Sequence, residues 1–286
     1  MTAVRARVPA SSANLGPGFD VLALALCLYV EVEIEPAVEL SVRSEGEGAN
    51  LAADASHLAA RIAVAVAGHD RMALTVRSDI PVGRGLGSSA ALAVAAAAAA
   101  GAADPFAVAA AADGHPENAA ASVLGGLVAA TVVDDRAVAR RLALDRDLAF
   151  VVLVPERPLP TAQARAALPA LVDHRDAAFN LGRMGLLVAG LADAGELVPA
   201  ATEDRLHQEA RTPLFPESPG LLAGLVDAGA SASCWSGAGP SLLAICRSDR
   251  APAVRSAGEL LLAESGVAGR ALLLQADIAG LVVSRH

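Results

Sequence analysis

The segment that most restricts the fold is a glycine-rich stretch, PVGRGLGSSAA at 81–91, followed at once by a run of alanines. Alanine has the highest helix propensity, so the run predicts a helix that begins at the end of this stretch. The N–H groups at a helix N-terminus lack intrahelical partners, and the helix dipole favours an anion there. Glycines also let the backbone approach a phosphate closely. We therefore predict a phosphate-binding loop, with the two serines available to cap the helix or to bind a metal ion.

The loop differs from a Walker loop because no lysine follows the serines, and the chain contains no lysine at all. P-loop NTPases, Schiff-base aldolases and pyridoxal enzymes all use a lysine, so the sequence argues against these classes. Every basic side chain apart from histidine is an arginine. A phosphate bound here must be neutralised by backbone N–H groups, arginine or a metal ion.

The amino-acid composition further restricts the class of protein that this chain can be. The 286 residues suit one large domain or two medium ones, and the aromatic content of 2% requires a core of Ala, Val and Leu. The net charge of −9 argues against a nucleic-acid partner. The apolar run at 90–103 is shorter than the roughly 20 residues that span a bilayer, so we expect no membrane segment. No secretory signal is evident and the three cysteines are odd in number, which together predict a cytoplasmic location.

Residue patterns predict an α+β fold. Strands are predicted at 3–8, 29–36, 38–44, 73–78, 125–133, 148–154, 232–235, 241–246 and 271–277, and helices at 52–68, 90–100, 105–112, 161–168, 176–193, 202–211, 219–228 and 252–264. The charged stretch 134–147 is predicted to precede a domain boundary. The alternation of strands and helices towards the C-terminus predicts a small split α/β sandwich.

Three glycine-bearing segments occur in order: VPASSANLGPGFDVLALAL at 8–26, the loop at 81–91, and SGAGPS at 236–241. Each alone is a weak signal, but together they resemble the three motifs of the GHMP small-molecule kinases. Three further blocks, GHPENAAASVLGG, TAQARAALP and ATEDRLHQEAR, resemble homoserine kinases within that superfamily. TAQARAALP and HQEAR carry this narrower resemblance, because the nucleotide motifs are common to the whole superfamily.

The resemblance implies an ATP-dependent kinase that phosphorylates the side-chain hydroxyl of L-homoserine, on the path to threonine. It implies a two-domain fold with the site in the cleft between the domains, divided here as 1–148 (ATP-binding) and 149–286 (a ferredoxin-like α/β sandwich). ATP, Mg²⁺ and a homodimer are implied as well. Two alternatives stay open: a related kinase acting on another hydroxylated carboxylate, such as mevalonate or shikimate, and a catalytically silent nucleotide-binding homologue.

For the nucleotide, the resemblance implies contacts from the loop and from a residue near the adenine. These residues are Asn50, Pro81, Gly83, Arg84, Gly85, Leu86, Gly87, Ser88, Ser89 and Ala90. Arg84 is the only cation in the loop, and it either contacts a phosphate or is solvated. Ser89 and Asp113 match the metal ligands. Here the chain departs from the family pattern, because Asp113 stands where the family usually has Glu, and Glu117 where it usually has Asp.

For homoserine, the resemblance implies a second group of residues: Asn14, Asp20, Glu117, Asn118, Thr161, Arg165, Arg211 and Gly239. Arginine suits the carboxylate because its planar guanidinium binds bidentately. The competing interpretation makes Arg165 and Arg211 ordinary surface arginines. Asp20 or Glu117 is the better candidate for a catalytic proton acceptor, and direct transfer without a base stays open. His115 and His207 are favoured as structural residues, and the only tryptophan, Trp235, as core.

Overall fold

The computed structural model describes residues 3–286, which form two β-sheets with helices packed on them. The first sheet has seven strands in the order β11-β1-β2-β4-β3, with β5 paired to β2 and β6 paired to β5. The strands are β1 (Val4–Ala13), β2 (Leu22–Pro36), β3 (Ser41–Gly46), β4 (Met72–Ser78), β5 (Leu127–Val133), β6 (Arg136–Arg141) and β11 (Val282–Arg285). Its helices are α1 (Leu58–Ala67), α2 (Ser88–Ala99), α3 (Pro105–Asp113) and α4 (Pro116–Leu124). We call this sheet and its helices the first unit.

The second sheet has four antiparallel strands in the order β10-β7-β9-β8. These are β7 (Leu148–Pro155), β8 (Ala232–Trp235), β9 (Leu242–Arg247) and β10 (Gly269–Leu274). The accompanying helices are α5 (Thr161–Ala166), α6 (His174–Ala192), α7 (Gln208–Arg211), α8 (Ser218–Asp227) and α9 (Ala251–Glu264), with 3₁₀ turns at Pro199–Thr202 and Thr212–Leu214. This strand order is that of a split β-α-β sandwich, and we call it the second unit. The predicted α+β class is confirmed.

Alanine determines how closely α2 packs in the first unit. Ten of its residues, Ala90–Ala99, are buried. Eight of these ten are alanines, whose small side chains allow the helix to contact β1, β2 and the neighbouring helices α1, α3 and α4. The helix therefore sits deep in the first unit rather than on its surface. Its N-terminus, and with it the glycine loop, is fixed by this packing.

The chain changes from the first sheet to the second between Arg141 and Leu148. It returns at the other end, where β11 pairs antiparallel with β1 in the first sheet. By sheet membership the first unit therefore includes Val282–Arg285. The division into 1–148 and 149–286 stays a prediction.

Several elements differ from the sequence-based prediction. The helix predicted at 202–211 begins only at Gln208, because the Asp204 carboxylate accepts hydrogen bonds from the N–H groups of Leu206, His207 and Gln208. The segment predicted as a helix from 52 begins at Leu58, after His57 caps it through Nδ1. The elements α4, β6 and β11 had no predicted counterpart.

Candidate active site

A cleft of about 620 Å³ lies where the glycine loop faces the second unit. Residues from both units line it. They are Asn14, Asp20, Leu51, Ala52, Ser56, His57, Leu58, Pro81, Val82, Gly83, Arg84, Gly85, Leu86, Gly87, Ser88, Ser89, Ala90, Leu92, Asp113, His115, Glu117, Asn118, Thr161, Arg165, Arg211, Gly237 and Ala238. Most of the predicted nucleotide and substrate residues thus share one cavity.

The glycine loop is held by its carbonyl groups. Gly83 O accepts a hydrogen bond from Leu159 N, Arg84 O from Ser241 N, Gly85 O from Ser236 Oγ, and Leu86 O from Ser11 N. A trans peptide directs its N–H away from its C=O. The N–H groups of Arg84, Gly85, Leu86 and Gly87 therefore point away from these four partners. This is the arrangement that an anion-binding loop requires.

Two of the loop glycines have no room for a side chain. Gly85 and Gly87 have φ values of +76° and +65°, in the left-handed region that favours glycine. A Cβ on Gly85 would lie 2.2 Å from Ser236 O, and a Cβ on Gly87 would lie 2.0 Å from Ser11 Oγ. The loop is thereby clamped between the first and third glycine-bearing segments.

The helix start offers unpaired donors. Gly87 is the N-cap of α2 and no side chain caps the helix, so the capping role considered for the serines is not observed. The first intrahelical hydrogen bond runs from Ala91 N–H to Gly87 O. The N–H groups of Ser88, Ser89 and Ala90 precede it and remain available to a ligand. They extend the row of loop donors into the helix.

The Arg84 side chain lines the cleft and is held by backbone carbonyl groups. Its guanidinium donates hydrogen bonds to the carbonyl oxygens of Pro155, Val82 and Glu156. It therefore ties the loop to the end of β7. The Arg84 side chain is therefore engaged rather than freely solvated, and its contact with the nucleotide stays a prediction.

Asp113 and Ser89 both line the cleft, and both supply oxygen, which a hard cation prefers. Asp113 Oδ2 lies 3.3 Å from His115 Nδ1, and this hydrogen bond raises the pKa of His115 above its ordinary value. Among residues 3–286 no group of three or more His, Cys, Asp or Glu side chains is arranged to hold a metal. A metal ion here would need the phosphates as further ligands. This donor set fits magnesium, which keeps waters and substrate phosphates in its shell.

Glu117 is a buried carboxyl group with one unbonded oxygen. Its side chain is on α4, is 2% exposed, and accepts a hydrogen bond at Oε1 from Asn118 Nδ2 at 3.0 Å. Oε2 has no hydrogen-bond partner. Burial raises the pKa of Glu117 to about 6. Asn118 in turn accepts from Ser11 Oγ, the group packed against Gly87, so the pair stands beside the start of α2.

Asp20 and Arg165 form a two-point ion pair. Arg165 NH2 donates to Asp20 Oδ1 at 2.7 Å and NH1 donates to Oδ2 at 3.1 Å, while Nε donates to His115 Nε2 at 2.9 Å. Both oxygens of Asp20 are thus engaged, whereas Glu117 retains a free one. Of the two predicted proton acceptors, the geometry favours Glu117.

Arg211 is a buried cation, not a surface residue. It is 1% exposed and donates NH1 to Gly237 O and to His207 Nδ1, both at 3.0 Å. Burial lowers the pKa of Arg211 to about 10, so it remains charged at neutral pH. His207 is stacked on Phe19 and donates Nε2–H to Gly16 O, and burial lowers its pKa to about 4. His207 is therefore a neutral structural histidine, as the sequence analysis favours.

Two predicted residues lie outside the cleft wall, and a third, Asn14, is engaged by other parts of the protein. Asn50 and Gly239 do not line the cleft. A Cβ on Gly239 would lie 2.4 Å from the Trp235 ring, and Trp235 is 1% exposed in the core of the second unit. Asn14 lines the cleft, but its amide group bonds to Gly237 O and to Asp20 N. Its first role is to join the two units.

The sequence analysis missed part of the cleft wall. These residues are Ala52, Ser56, His57 and Leu58 at the start of α1, with Val82, Leu92, Gly237 and Ala238 from the neighbouring segments. His57 is 4% exposed, and burial lowers its pKa. A His directly before an apolar helical stretch is not a common capping signal, so no local pattern identified it.

Comparison with known proteins places this cleft in a family. The model described as GHMP kinases N terminal domain matches residues 50–126, and the model described as GHMP kinases C terminal matches 175–259. A homoserine kinase of Leifsonia xyli is 42% identical, with 99% of this chain and 92% of that protein covered. The chain belongs to the homoserine kinase family.

Other similar proteins and solved structures support the same family and fold. A homoserine kinase of Moorella thermoacetica is 40% identical, over 91% of this chain and 93% of that protein. The crystal structure of a homoserine kinase from Cytophaga hutchinsonii has a TM-score of 0.87 at 25% identity, covering 99% of this chain and 98% of that one. A mevalonate kinase of L. major, with a TM-score of 0.70 and 14% identity over 98% and 95% of the two chains, shares the fold. The GHMP kinase fold predicted from the sequence is thus confirmed.

Proposed function

We propose that this chain transfers the γ-phosphoryl group of ATP to the side-chain hydroxyl of L-homoserine, giving ADP and O-phospho-L-homoserine. The observation that carries the proposal is the position of Glu117, a residue of the cleft wall beside the start of α2 whose buried Oε2 has no hydrogen-bond partner. The same carboxyl group interacts electrostatically with Asp20 and Arg165. It therefore lies between the predicted phosphate loop and the predicted amino-acid site, where the acceptor hydroxyl must be.

Phosphoryl transfer depends mainly on alignment and on charge neutralisation. The N–H groups of the loop and of the first turn of α2 would bind the phosphates. A magnesium ion held by Ser89 and Asp113 would neutralise negative charge on the phosphate oxygens. In the exchanged pair of acids, Asp113 thus keeps the metal role and Glu117 the substrate role.

On the acceptor side, different residues would contact the hydroxyl, the carboxylate and the remaining polar groups of the substrate. The Glu117 carboxylate would accept the hydrogen bond of the homoserine hydroxyl and take its proton as the new P–O bond forms and the bond to ADP breaks. Arg165 and Arg211 would bind the substrate carboxylate, with Thr161 beside them. Asn14, Asp20 and Asn118 would surround the remaining polar groups.

An ADP-release assay on purified protein tests the proposal. We expect turnover with L-homoserine that depends on Mg²⁺ and far exceeds turnover with mevalonate or shikimate. Absence of turnover above the rate without acceptor, at millimolar homoserine, would refute it.

A homodimer and a cytoplasmic location stay predictions. Over residues 3–286, no helix is both long and apolar enough to cross a bilayer.

A further inference from the structure

Helix α6 carries an apolar surface on the side that faces away from the protein. Its buried residues lie on one side of the helix and include Leu187 and Leu191. The exposed residues between positions 177 and 192 lie on the other side. They are Ala177, Ala178, Leu181, Gly182, Gly185, Leu186, Ala189 and Ala192. A surface helix normally places polar residues on the side opposite its buried ones, so the outer side of α6 has the composition of a buried surface.

The segments at both ends of α6 extend this apolar surface. Of the fifteen large apolar side chains that are exposed in residues 3–286, five lie within 171–198. These are Leu171, Val172, Leu181, Leu186 and Val198, with Leu171 89% and Leu181 73% exposed. A helix of this length is about 28 Å long and about 10 Å wide, which is less than the roughly 800 Å² that each partner buries in a stable dimer. The end segments supply the further apolar area that such a contact needs.

The outer residues of α6 repeat in reverse order about the middle of the helix. In chain order they are Ala178, Leu181, Gly182, Gly185, Leu186 and Ala189. If two copies of the helix cross antiparallel, a two-fold axis between positions 183 and 184 places Leu181 of each copy opposite Leu186 of the other. The two alanines and the two glycines face each other in the same way. A two-fold contact requires such a self-complementary surface, because the same patch is used on both subunits.

The two glycines lie at the centre of this arrangement. A Cβ built on Gly182 or on Gly185 would have no heavy atom of residues 3–286 within 4 Å, so nothing in this part of the chain excludes a side chain there. Glycine inside a helix is less favourable than alanine. A second helix gives the missing reason, since the absence of side chains at the crossing point lets two helix axes approach to about 8 Å.

The charges near the ends of α6 are complementary in the antiparallel arrangement. Arg175 near the N-terminal end and Glu196 just beyond the C-terminal end are both exposed. Neither takes part in an ion pair among residues 3–286. The acids beside Arg175 are engaged elsewhere, because Asp173 caps the helix and Asp176 is in an ion pair. An antiparallel partner would bring its Asp193 and Glu196 towards Arg175, once at each end of the contact.

We propose that the outer side of α6 is the surface at which two copies of this chain associate, with their α6 helices antiparallel about a two-fold axis. The contact covers Leu181 and Leu186 of both copies, and removal of their apolar surface from water drives the association. No residue of α6 lines the cleft, so both clefts stay open to ligands. The inference is therefore independent of the reaction that the cleft carries out.

Sedimentation equilibrium of the full chain tests the inference. We expect wild-type protein to have twice the monomer mass of 28.6 kDa. Leu181→Arg and Leu186→Glu each place an unpaired charge against a leucine of the other copy, so each alone should lower the association constant at least about hundred-fold. Leu260→Arg is the matched control, because Leu260 is a 64% exposed leucine on α9 and its replacement should leave the dimer intact. Circular dichroism checks that all variants are folded.

A mixture of the two charged variants tests the register. In a dimer of one Leu181→Arg chain with one Leu186→Glu chain, the new arginine faces the new glutamate, and the remaining two leucines face each other. We expect an equimolar mixture to recover the dimer that neither variant forms alone. A wild-type protein that is monomeric up to about 100 µM would overturn the inference, since even a weak specific dimer is populated there. A dimer that survives both single substitutions, or a mixture that stays monomeric, would overturn it as well.

Discussion

Glu117 is the residue whose environment is most unusual for its chemistry. A carboxyl group buried without a full set of partners disfavours its charged form. The pKa of Glu117 is raised to about 6, chiefly by burial, so the native state holds the proton more tightly than the unfolded chain does. Below the unfolded-state pKa near 4.5 the group costs nothing. As the pH rises through about 6, the native state loses stability relative to the unfolded state.

The variant Glu117→Gln tests this. A shift of about one and a half pKa units corresponds to about 2 kcal/mol. We expect wild-type protein without ligands to lose roughly that much unfolding free energy between pH 4.5 and pH 7.5 through this group, and Glu117→Gln to lose correspondingly less. Denaturant titrations of both proteins at several pH values measure the difference. Identical pH profiles for the two would contradict a raised pKa at Glu117.

Ser89 allows a test of the nucleotide side with little risk to the fold, because its side chain is exposed to the cleft. Ser89→Ala removes one oxygen from the proposed metal shell. We expect KM for Mg·ATP to rise about tenfold, with KM for homoserine nearly unchanged, as for the loss of one contact to a charged group. Steady-state kinetics measure both constants. Ser256→Ala, on the outer side of α9, should change neither, and equal changes in both constants for Ser89→Ala would count against the assignment.

Among the elements, those with strong internal periodicity could be predicted and those that depend on distant contacts could not. Strand β8 agrees with the prediction in both bounds, and α3, α8 and α9 lie within one residue of theirs at each end. Strand β6 is an arginine-rich edge strand within the charged stretch 134–147, for which no strand was predicted. The turn between β5 and β6 contained a signal for a hairpin in the pair Asp134 and Asp135. Both residues have positive φ, as a tight hairpin turn requires.

The residues of the candidate site likewise differ in whether the sequence alone could predict them. The glycine loop could be predicted from its residue types, and the acids from the resemblance to homoserine kinases. The Asp20–Arg165 pair joins residues 145 positions apart, and no local pattern reports such a contact. The burial of Glu117 likewise depends on the packing of α4, a helix that the polar sequence GHPEN concealed.

The close packing of the glycine loop against its neighbouring segments predicts how alanine substitutions in the loop affect ATP binding. Gly83, Gly85 and Gly87 all have positive φ, so alanine at any of them costs on the order of 1–2 kcal/mol of backbone strain. Only at Gly85 and Gly87 would the new Cβ also collide with a neighbouring segment, since at Gly83 the nearest atom is Pro158 Cβ at 3.6 Å. We expect Gly85→Ala to abolish measurable ATP binding and Gly83→Ala to weaken it only slightly. Calorimetry with ATP compares them, and equal losses would show that strain rather than the clamp matters.

At the scale of the whole molecule, the two units share a hydrogen-bonded seam. Asn14 Nδ2 donates to Gly237 O, Gly237 N donates to Ala13 O, and the hydroxyl oxygens of Ser236 and Ser12 lie 2.8 Å apart, within hydrogen-bond distance. The chain also returns from the second sheet to add β11 to the first. An opening of either unit would break these contacts, so we expect the two units to unfold together.

The chain contains one tryptophan, which lies in the core of the second unit, and this makes the coupling measurable. Fluorescence of Trp235 reports the second unit, whereas amide exchange in β2 reports the first. We expect both probes to give one denaturation midpoint. Asn14→Ala should lower both midpoints together, because the lost bonds to Gly237 and Asp20, worth about 1–3 kcal/mol with their partners left unpaired, support the seam. Separate midpoints in the wild-type protein, or a change confined to one probe in Asn14→Ala, would mean that the units unfold independently and that the cleft between them is held by ligands instead.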